Sequence, residues 1–310
     1  MKVAVFGGTG FVGSYIVDTL VAHDHTPRLL VRQGSEAKVR RPEQCEIVTG
    51  DINAPATVAE CVQGADAAIY NIGLIRETPS RGLTWEAMHY EGAARAIDAA
   101  VKAGVKHFVL MSANGVKSEG TGYQTTKYRA EQYLASSGLE WTVFRPSIVF
   151  GDPRGREEFC SMLRDQMMKP PIPAPLFYEG FWPSDAGTFR MSPVAVEDVA
   201  ESFVRALETQ ASRGRVLHLG GPESPQWREI LEIIAAGSGR KKLMMPAPVG
   251  PIRAVATLLD RFEWFPLTRA QLRMLLEGNA CDGSEAWKMF DIAPKFFEPG
   301  NLGYLRAGDL

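Results

Sequence analysis

The chain has 310 residues, 45% hydrophobic and 23% charged, with a formal net charge of −2. This is an ordinary globular make-up, enough for one large domain or two fused ones, and it gives no general attraction to nucleic acid. Cys45, Cys61, Cys160 and Cys281 lie far apart without a CxxC pair, which argues against metal and disulfide patterns and suits a reducing cytosol. No apolar run approaches the roughly 20 residues needed to cross a bilayer, and the N-terminus does not read as a signal peptide.

In chain order, short β-rich runs are predicted at Val3–Phe6, Arg28–Val31, Glu46–Val48, Ala67–Tyr70, His107–Met111 and Trp141–Phe144. Helical patterns fall between most of them, at Val12–Val21, Ala56–Val62, Trp85–Ala103 and Thr126–Ser136. Such alternation predicts a parallel sheet covered by helices. After Gly151 the rhythm breaks, and "KPPIPAPLFYEGFWPSDAGTF", with five prolines and five aromatics, reads as loop. "SPVAVEDVAESFVRAL" predicts a short strand and a helix, and "RVLHLGG" another strand. Helices are expected at Gln226–Ala236, Pro251–Phe262 and Thr268–Leu276. The fold class is therefore α/β, a Rossmann-type doubly wound parallel sheet with a smaller, mostly helical C-terminal lobe. Residues 1–150 are expected to form the dinucleotide-binding domain, with 193–220 returning to it, and 151–310 the substrate lobe.

The first strand runs into "GGTGFVG". Gly8, Gly10 and Gly13 fit GxGxxG, and Gly7, Gly10 and Gly13 fit GxxGxxG. Between a strand and a helix, glycines let the backbone turn tightly and approach a pyrophosphate over the helix N-terminus. The cradle is placed on Gly7, Thr9, Gly10, Phe11, Val12 and Gly13. Arg32 follows the second strand, with Ser35 and Lys38 after it, where an NAD site usually carries an acid for the ribose 2′-hydroxyl. A guanidinium there favours NADP(H), with NAD(H) as the alternative and a solvated basic loop as the bland reading.

These motifs together resemble the extended short-chain dehydrogenase/reductase superfamily. "TGDI" at Thr49–Ile52 is similar to its adenine-contacting segment, which implies cofactor contacts for Asp51 and Ile52. "NIG" at Asn71–Gly73 stands where that family has a short motif beside the cofactor, implicating Asn71 and Gly73. "YQTTK" supplies a YxxxK pair, Tyr123 and Lys127, and "RPSIVFGD" and "PVAVEDVA" resemble the exit to and return from the substrate lobe. "FPLTRAQLRMLLEGN" and "FDIAP" narrow the resemblance to the atypical branch containing the dehydrogenase-like accessory subunit of respiratory complex I and its bacterial relatives. Two functions follow from the resemblance. One is an oxidoreductase or epimerase/dehydratase-like enzyme on a small substrate. The other is a non-catalytic nucleotide-binding accessory or assembly factor of a protein complex at a membrane. The location expected is cytoplasmic, with peripheral attachment at the inner membrane under the second reading.

Tyr123 and Lys127 are four apart and share a helix face. A nearby ammonium would lower the phenol pKa from about 10 and make Tyr123 a general acid/base, with Ser112 orienting a substrate oxygen and Lys127 also holding the cofactor ribose. Only ten residues separate Ser112 from Tyr123, fewer than in standard extended members, a departure that weighs against the catalytic reading because it leaves room for Tyr123 to lie away from the nicotinamide. His89 stands where the family places a proton-relay Asn, and either relays protons or packs against the sheet. His23 and His25 read as solvated, and His107 and His218 have no metal-ligand spacing. Arg145 and Arg190 are substrate-binding candidates or ordinary salt-bridge residues. The aromatics Phe177, Tyr178, Phe181, Trp182 and Phe189 read as a lid, an interaction patch or a hydrophobic plug. The apolar stripe ending at Trp264 and Phe265 reads as internal packing or as a membrane or partner contact.

Overall fold

The computed structural model describes residues 1–259 and 268–306, side chains 256 and 259 excepted. The strands are β1 (Lys2–Phe6), β2 (Thr26–Val31), β3 (Glu46–Thr49), β4 (Ala67–Tyr70), β5 (His107–Met111), β6 (Glu140–Pro146), β7 (Val149–Phe150), β8 (Ala174–Tyr178), β9 (Val194–Ala195), β10 (Arg215–Leu219) and β11 (Met244–Pro248). The helices are α1 (Phe11–Ala22), α2 (Pro55–Val62), α3 (Gly92–Ala103), α4 (Gly122–Ala135), α5 (Phe159–Leu163), α6 (Val196–Glu208), α7 (Trp227–Gly237), α8 (Val249–Leu259), α9 (Arg269–Glu277) and α10 (Ser284–Phe290). The part of the apolar stripe holding Trp264 and Phe265 lies outside the described residues.

Seven strands form one parallel sheet in the order β10-β6-β5-β4-β1-β2-β3. The order reverses beside β1, where successive connections run to opposite sides and leave a crevice at the C-terminal strand ends. Val3–Phe6 and His107–Leu110 are buried throughout, which is why these strands read as continuous apolar runs rather than alternating ones. This Rossmann-type sheet belongs to a unit made of residues 1–146, 196–219 and 283–293. A second unit, residues 147–195, 220–282 and 294–310, has its own core around Trp227, whose ring stacks with Phe189 at 5.4 Å and whose Nε1 donates to the Pro175 carbonyl at 3.0 Å. The C-terminal region that holds α6–α10 is mostly helical, as expected.

Two elements depart from the sequence reading. The proline-rich stretch read as loop contains β8, which pairs in parallel with β11. A two-stranded sheet consists only of edges, so prolines that cannot donate are tolerated there. The helix expected at Trp85–Ala103 opens with a π-helical segment, Glu86–Glu91, before α3. The buried Tyr70 hydroxyl donates to the Met88 carbonyl at 2.5 Å, and a Cβ on Gly92 would lie 2.5 Å from that oxygen. The wider turn thus satisfies a polar group that burial would otherwise strand.

Candidate functional site

The glycine loop is built by close backbone approach. Gly7 has φ +93°, and a Cβ there would stand 2.9 Å from the Asn71 carbonyl. A Cβ on Gly13 would sit 2.1 Å from the Gly7 oxygen. Gly10 is different. It is exposed, its N–H donates to Gly7 O at 3.1 Å, and a Cβ would meet only that oxygen, at 3.3 Å. Gly7 and Gly13 are required by the loop's own packing, whereas Gly10 has a single close neighbour and lies exposed at the start of α1. That helix start has no side-chain cap and no acid in its first turn. Its leading amides and dipole therefore suit an anion, and the loop fits a dinucleotide pyrophosphate.

The other expected cofactor residues follow neighbouring strands. Val12 is buried in α1, Phe11 packs edge-on against Tyr15 at 6.0 Å, and Thr9 is half-buried in the loop. Asn71 is buried just after β4, its N–H donating to Phe6 O at 2.8 Å, and Gly73 is exposed with open space beside it. Asp51 closes a turn by accepting from Asn53 N–H at 2.8 Å, and the carbonyl of buried Ile52 accepts from Arg95 at 2.8 Å. Arg32 is exposed beyond β2.

Ser112 follows β5 and continues its pairing, donating from its N–H to Phe144 O at 2.7 Å. Its Oγ is buried and has no hydrogen-bond partner among the described residues, and the residue is 3% exposed. Lys127, 5% exposed, donates from Nζ to the carbonyl of Met111, the residue before Ser112, at 3.1 Å. Burial lowers its pKa to about 8, opposed by the Glu131 carboxylate one turn on. The capping box of Thr121 and Gln124 starts α4 earlier than the apolar pattern suggested and puts Tyr123 in its first turn. The expected lowering of the Tyr123 pKa does not occur: burial pushes it up to about 12. Lys127 Nζ lies 5.7 Å from the centroid of the Tyr123 ring.

His89 settles as a packing residue. Leu74 N–H donates to its Nε2 at 2.9 Å, so the ring proton is on Nδ1, 3.3 Å from Thr126 Oγ1. Burial and the Lys127 charge hold its pKa down to about 2, so it stays neutral. Trp85 Nε1 donates to Leu74 O at 2.9 Å, so both backbone groups of Leu74 are clamped. The Tyr123 ring meets His89 and Trp85 edge-on, at 5.1 and 6.3 Å. Trp85 and Thr126 were not singled out from sequence. Their roles are contacts with Leu74 and His89 across the fold, which no local pattern announces.

Arg145 is committed to Glu131, with Nε and Nη2 at 2.9 and 2.6 Å from its two carboxylate oxygens, and Arg190 donates to Ser224 O at 2.7 Å. His25, read as solvated, is buried beside the N-terminal amine and Glu208. No metal-binding cluster of His, Cys, Asp or Glu exists among the described residues. No helix among them is long and apolar enough to cross a membrane.

The profile of the family described as NAD(P)H-binding matches residues 7–168. The chain belongs to the NAD(P)H-binding family. Its fold is of the extended short-chain dehydrogenase/reductase, epimerase/dehydratase-like type. Ceramide reductase of Caulobacter vibrioides is 26% identical over 86% of this chain and 79% of that protein. Photosystem II assembly factor Ycf39 of Synechocystis is 26% identical over 95% and 87%. The 40 kDa subunit of NADH-ubiquinone oxidoreductase from Neurospora crassa is 24% identical over 86% and 68%. Among solved structures, MoeE5 in complex with UDP-glucuronic acid and NAD covers 99% of this chain and 100% of its own with TM-score 0.74 at 17% identity. The Thermus thermophilus UDP-glucose 4-epimerase complex with NAD covers 99% and 98%, with TM-score 0.72 at 20% identity.

These NAD complexes overturn the NADP(H) preference read from Arg32, and NAD(H) is the better-supported dinucleotide of this family member. The physical reason lies in what Arg32 is. Lack of an acid after β2 removes a repulsion but does not build a phosphate site, and an exposed guanidinium is already well solvated.

Proposed function

We propose that the chain is an NAD(H)-dependent oxidoreductase or epimerase/dehydratase-like enzyme acting on a small substrate through Tyr123, Lys127 and Ser112. One observation carries the reading. At the end of β5, the Ser112 hydroxyl, buried and without a partner among the described residues, comes directly after the Met111 carbonyl that accepts from the buried Lys127 ammonium. Leaving such a hydroxyl unpaired costs about 1–3 kcal/mol, which a bound oxygen-bearing ligand would recover. The glycine loop, with Asp51, Ile52, Asn71 and Gly73, holds the dinucleotide, which supplies the hydride chemistry when bound. Ser112 Oγ orients the substrate oxygen. Tyr123, with its pKa near 12, is protonated at neutral pH and suited to giving a proton to that oxygen as a carbonyl is reduced. Lys127 holds the ribose and steadies the phenolate that remains.

Tyr123→Phe keeps the ring and deletes the proton. NADH binding should survive while turnover of a reducible substrate falls by roughly a hundred-fold or more. Full activity in that variant would sink the assignment. A second reading, a dinucleotide-binding accessory factor at a membrane complex, is supported by the kinship to Ycf39 and by Phe181 and Trp182, 98% and 79% exposed in the second unit. An accessory factor would bind NADH with no turnover and be indifferent to Tyr123→Phe.

A further inference from the structure

Three strands end in a polar row. His218 on β10 pairs in register with Arg145 on β6, and the Ser112 N–H bond to Phe144 O extends the β5–β6 register so that Ser112 lies opposite Arg145. Residues in register project to the same sheet face. From that face Arg145 reaches α4 and grips Glu131 bidentately at 2.9 and 2.6 Å. Glu131 is 3% exposed and stands one turn after Lys127, a spacing at which Lys and Glu side chains are neighbours. The Lys127 hydrogen bond nevertheless goes to the Met111 carbonyl.

The groups around Lys127 make the carboxylate decisive. On α4 itself, Tyr123 is neutral and Glu131 is the anion that favours the ammonium. From the π-helical segment His89 faces it as a neutral ring. From β5 comes a backbone carbonyl. From β6 Arg145 acts on Glu131. His218 on β10 lies near both members of that pair, its Nδ1 3.2 Å from Asn114 Oδ1 and its pKa lowered by burial and by Arg145. A bidentate grip fixes a carboxylate in place more firmly than a single contact does.

We propose that Arg145 and Glu131 are positioning residues: the guanidinium holds the carboxylate off Lys127 as a fixed negative charge, which keeps the ammonium charged while leaving its N–H groups for a ligand. This rests on the reading of Lys127 as a dinucleotide-holding cation. A merely structural ion pair would contribute to stability and leave Lys127 unaffected.

The test follows NADH affinity, by its own fluorescence, from about pH 6 to about pH 10, across the range in which a shifted lysine titrates. In the native chain affinity should weaken as pH rises through the Lys127 titration. Glu131→Gln should move that midpoint down by about one pH unit, the usual effect of deleting a neighbouring opposite charge, and Glu131→Asp should restore it. Arg145→Gln should act in the opposite direction, freeing the carboxylate to pair with Lys127. Its midpoint should rise, and affinity near neutral pH should drop by about tenfold as the ammonium is taken up. Thermal melts establish which variants fold; if Glu131→Gln does not, the upward shift in Arg145→Gln decides alone. Midpoints that stay put or move together, while Lys127→Met abolishes the alkaline limb, would overturn the positioning role and leave the reading of Lys127 standing. An alkaline limb that persists in Lys127→Met would overturn that reading and this inference with it.

Discussion

Gly10 and Gly13 occupy one motif yet answer to different constraints. A side chain at Gly13 collides with the Gly7 carbonyl, 2.1 Å from an added Cβ, so Gly13→Ala should destabilise the fold by several kcal/mol, about the scale of a badly overpacked core. An added Cβ at Gly10 presses on one backbone oxygen, at 3.3 Å, so Gly10→Val should lose far less stability than Gly13→Ala while losing NADH binding. Calorimetric melts and NADH titrations separate the two; a Gly10→Val protein that binds normally would show that the ligand does not lie over the helix start. The motif was legible because glycine spacing reports backbone approach. Which glycine serves the fold and which serves the ligand was not, because that depends on Gly7 O, brought close only when the loop closes. Glu131 could have been found, since it stands four residues after Lys127, but Arg145 as its holder required the β6 register.

At the scale of elements, the strand-helix alternation of the first 150 residues translated directly into the parallel sheet, because buried parallel strands are apolar on both faces. β8 was hidden by its prolines, and the π-helical segment by the tertiary demand of Tyr70. That demand makes a prediction of its own. Gly92→Ala forces a Cβ to 2.5 Å from the Tyr70 hydroxyl and should cost about 1–3 kcal/mol, part of which Tyr70→Phe should recover in a double-mutant cycle. Additive effects would contradict the packing described. Two histidines predict a pH response. His89 and His107 are buried neutral, with pKa values held to about 2 and about 3, His107 by burial and by Arg213, whose guanidinium donates to its Nδ1. In the unfolded chain both would titrate near 6.5, so the unfolded state binds more protons below that pH. Their contribution is present above about pH 6.5 and is lost as pH falls toward the folded values. Urea unfolding should reveal a loss of about 4 kcal/mol by about pH 5, roughly 2 kcal/mol from each ring, and a flat profile over that range would contradict the neutral assignments.

For the molecule as a whole, family membership and fold agree with the sequence reading, while cofactor choice needed correction. A basic residue after β2 was taken as a positive signal for a 2′-phosphate, yet specificity of that kind needs a built contact, and Arg32 is exposed. The native chain should therefore bind NADH at least as tightly as NADPH. The second unit, with Phe181 and Trp182 exposed and Trp227 at its centre, carries features that sequence pattern could flag as aromatic but not sort into core and surface. The most direct measurement is a crystal structure of the chain grown with NAD. The pyrophosphate should lie over Gly10, with Lys127 Nζ bonded to the ribose and the Tyr123 hydroxyl close enough to nicotinamide C4 to serve a substrate oxygen through at most one water. A dinucleotide bound away from Gly10, or a Tyr123 hydroxyl more than about 6 Å from C4, beyond two hydrogen-bond steps of ~3 Å, would contradict that arrangement.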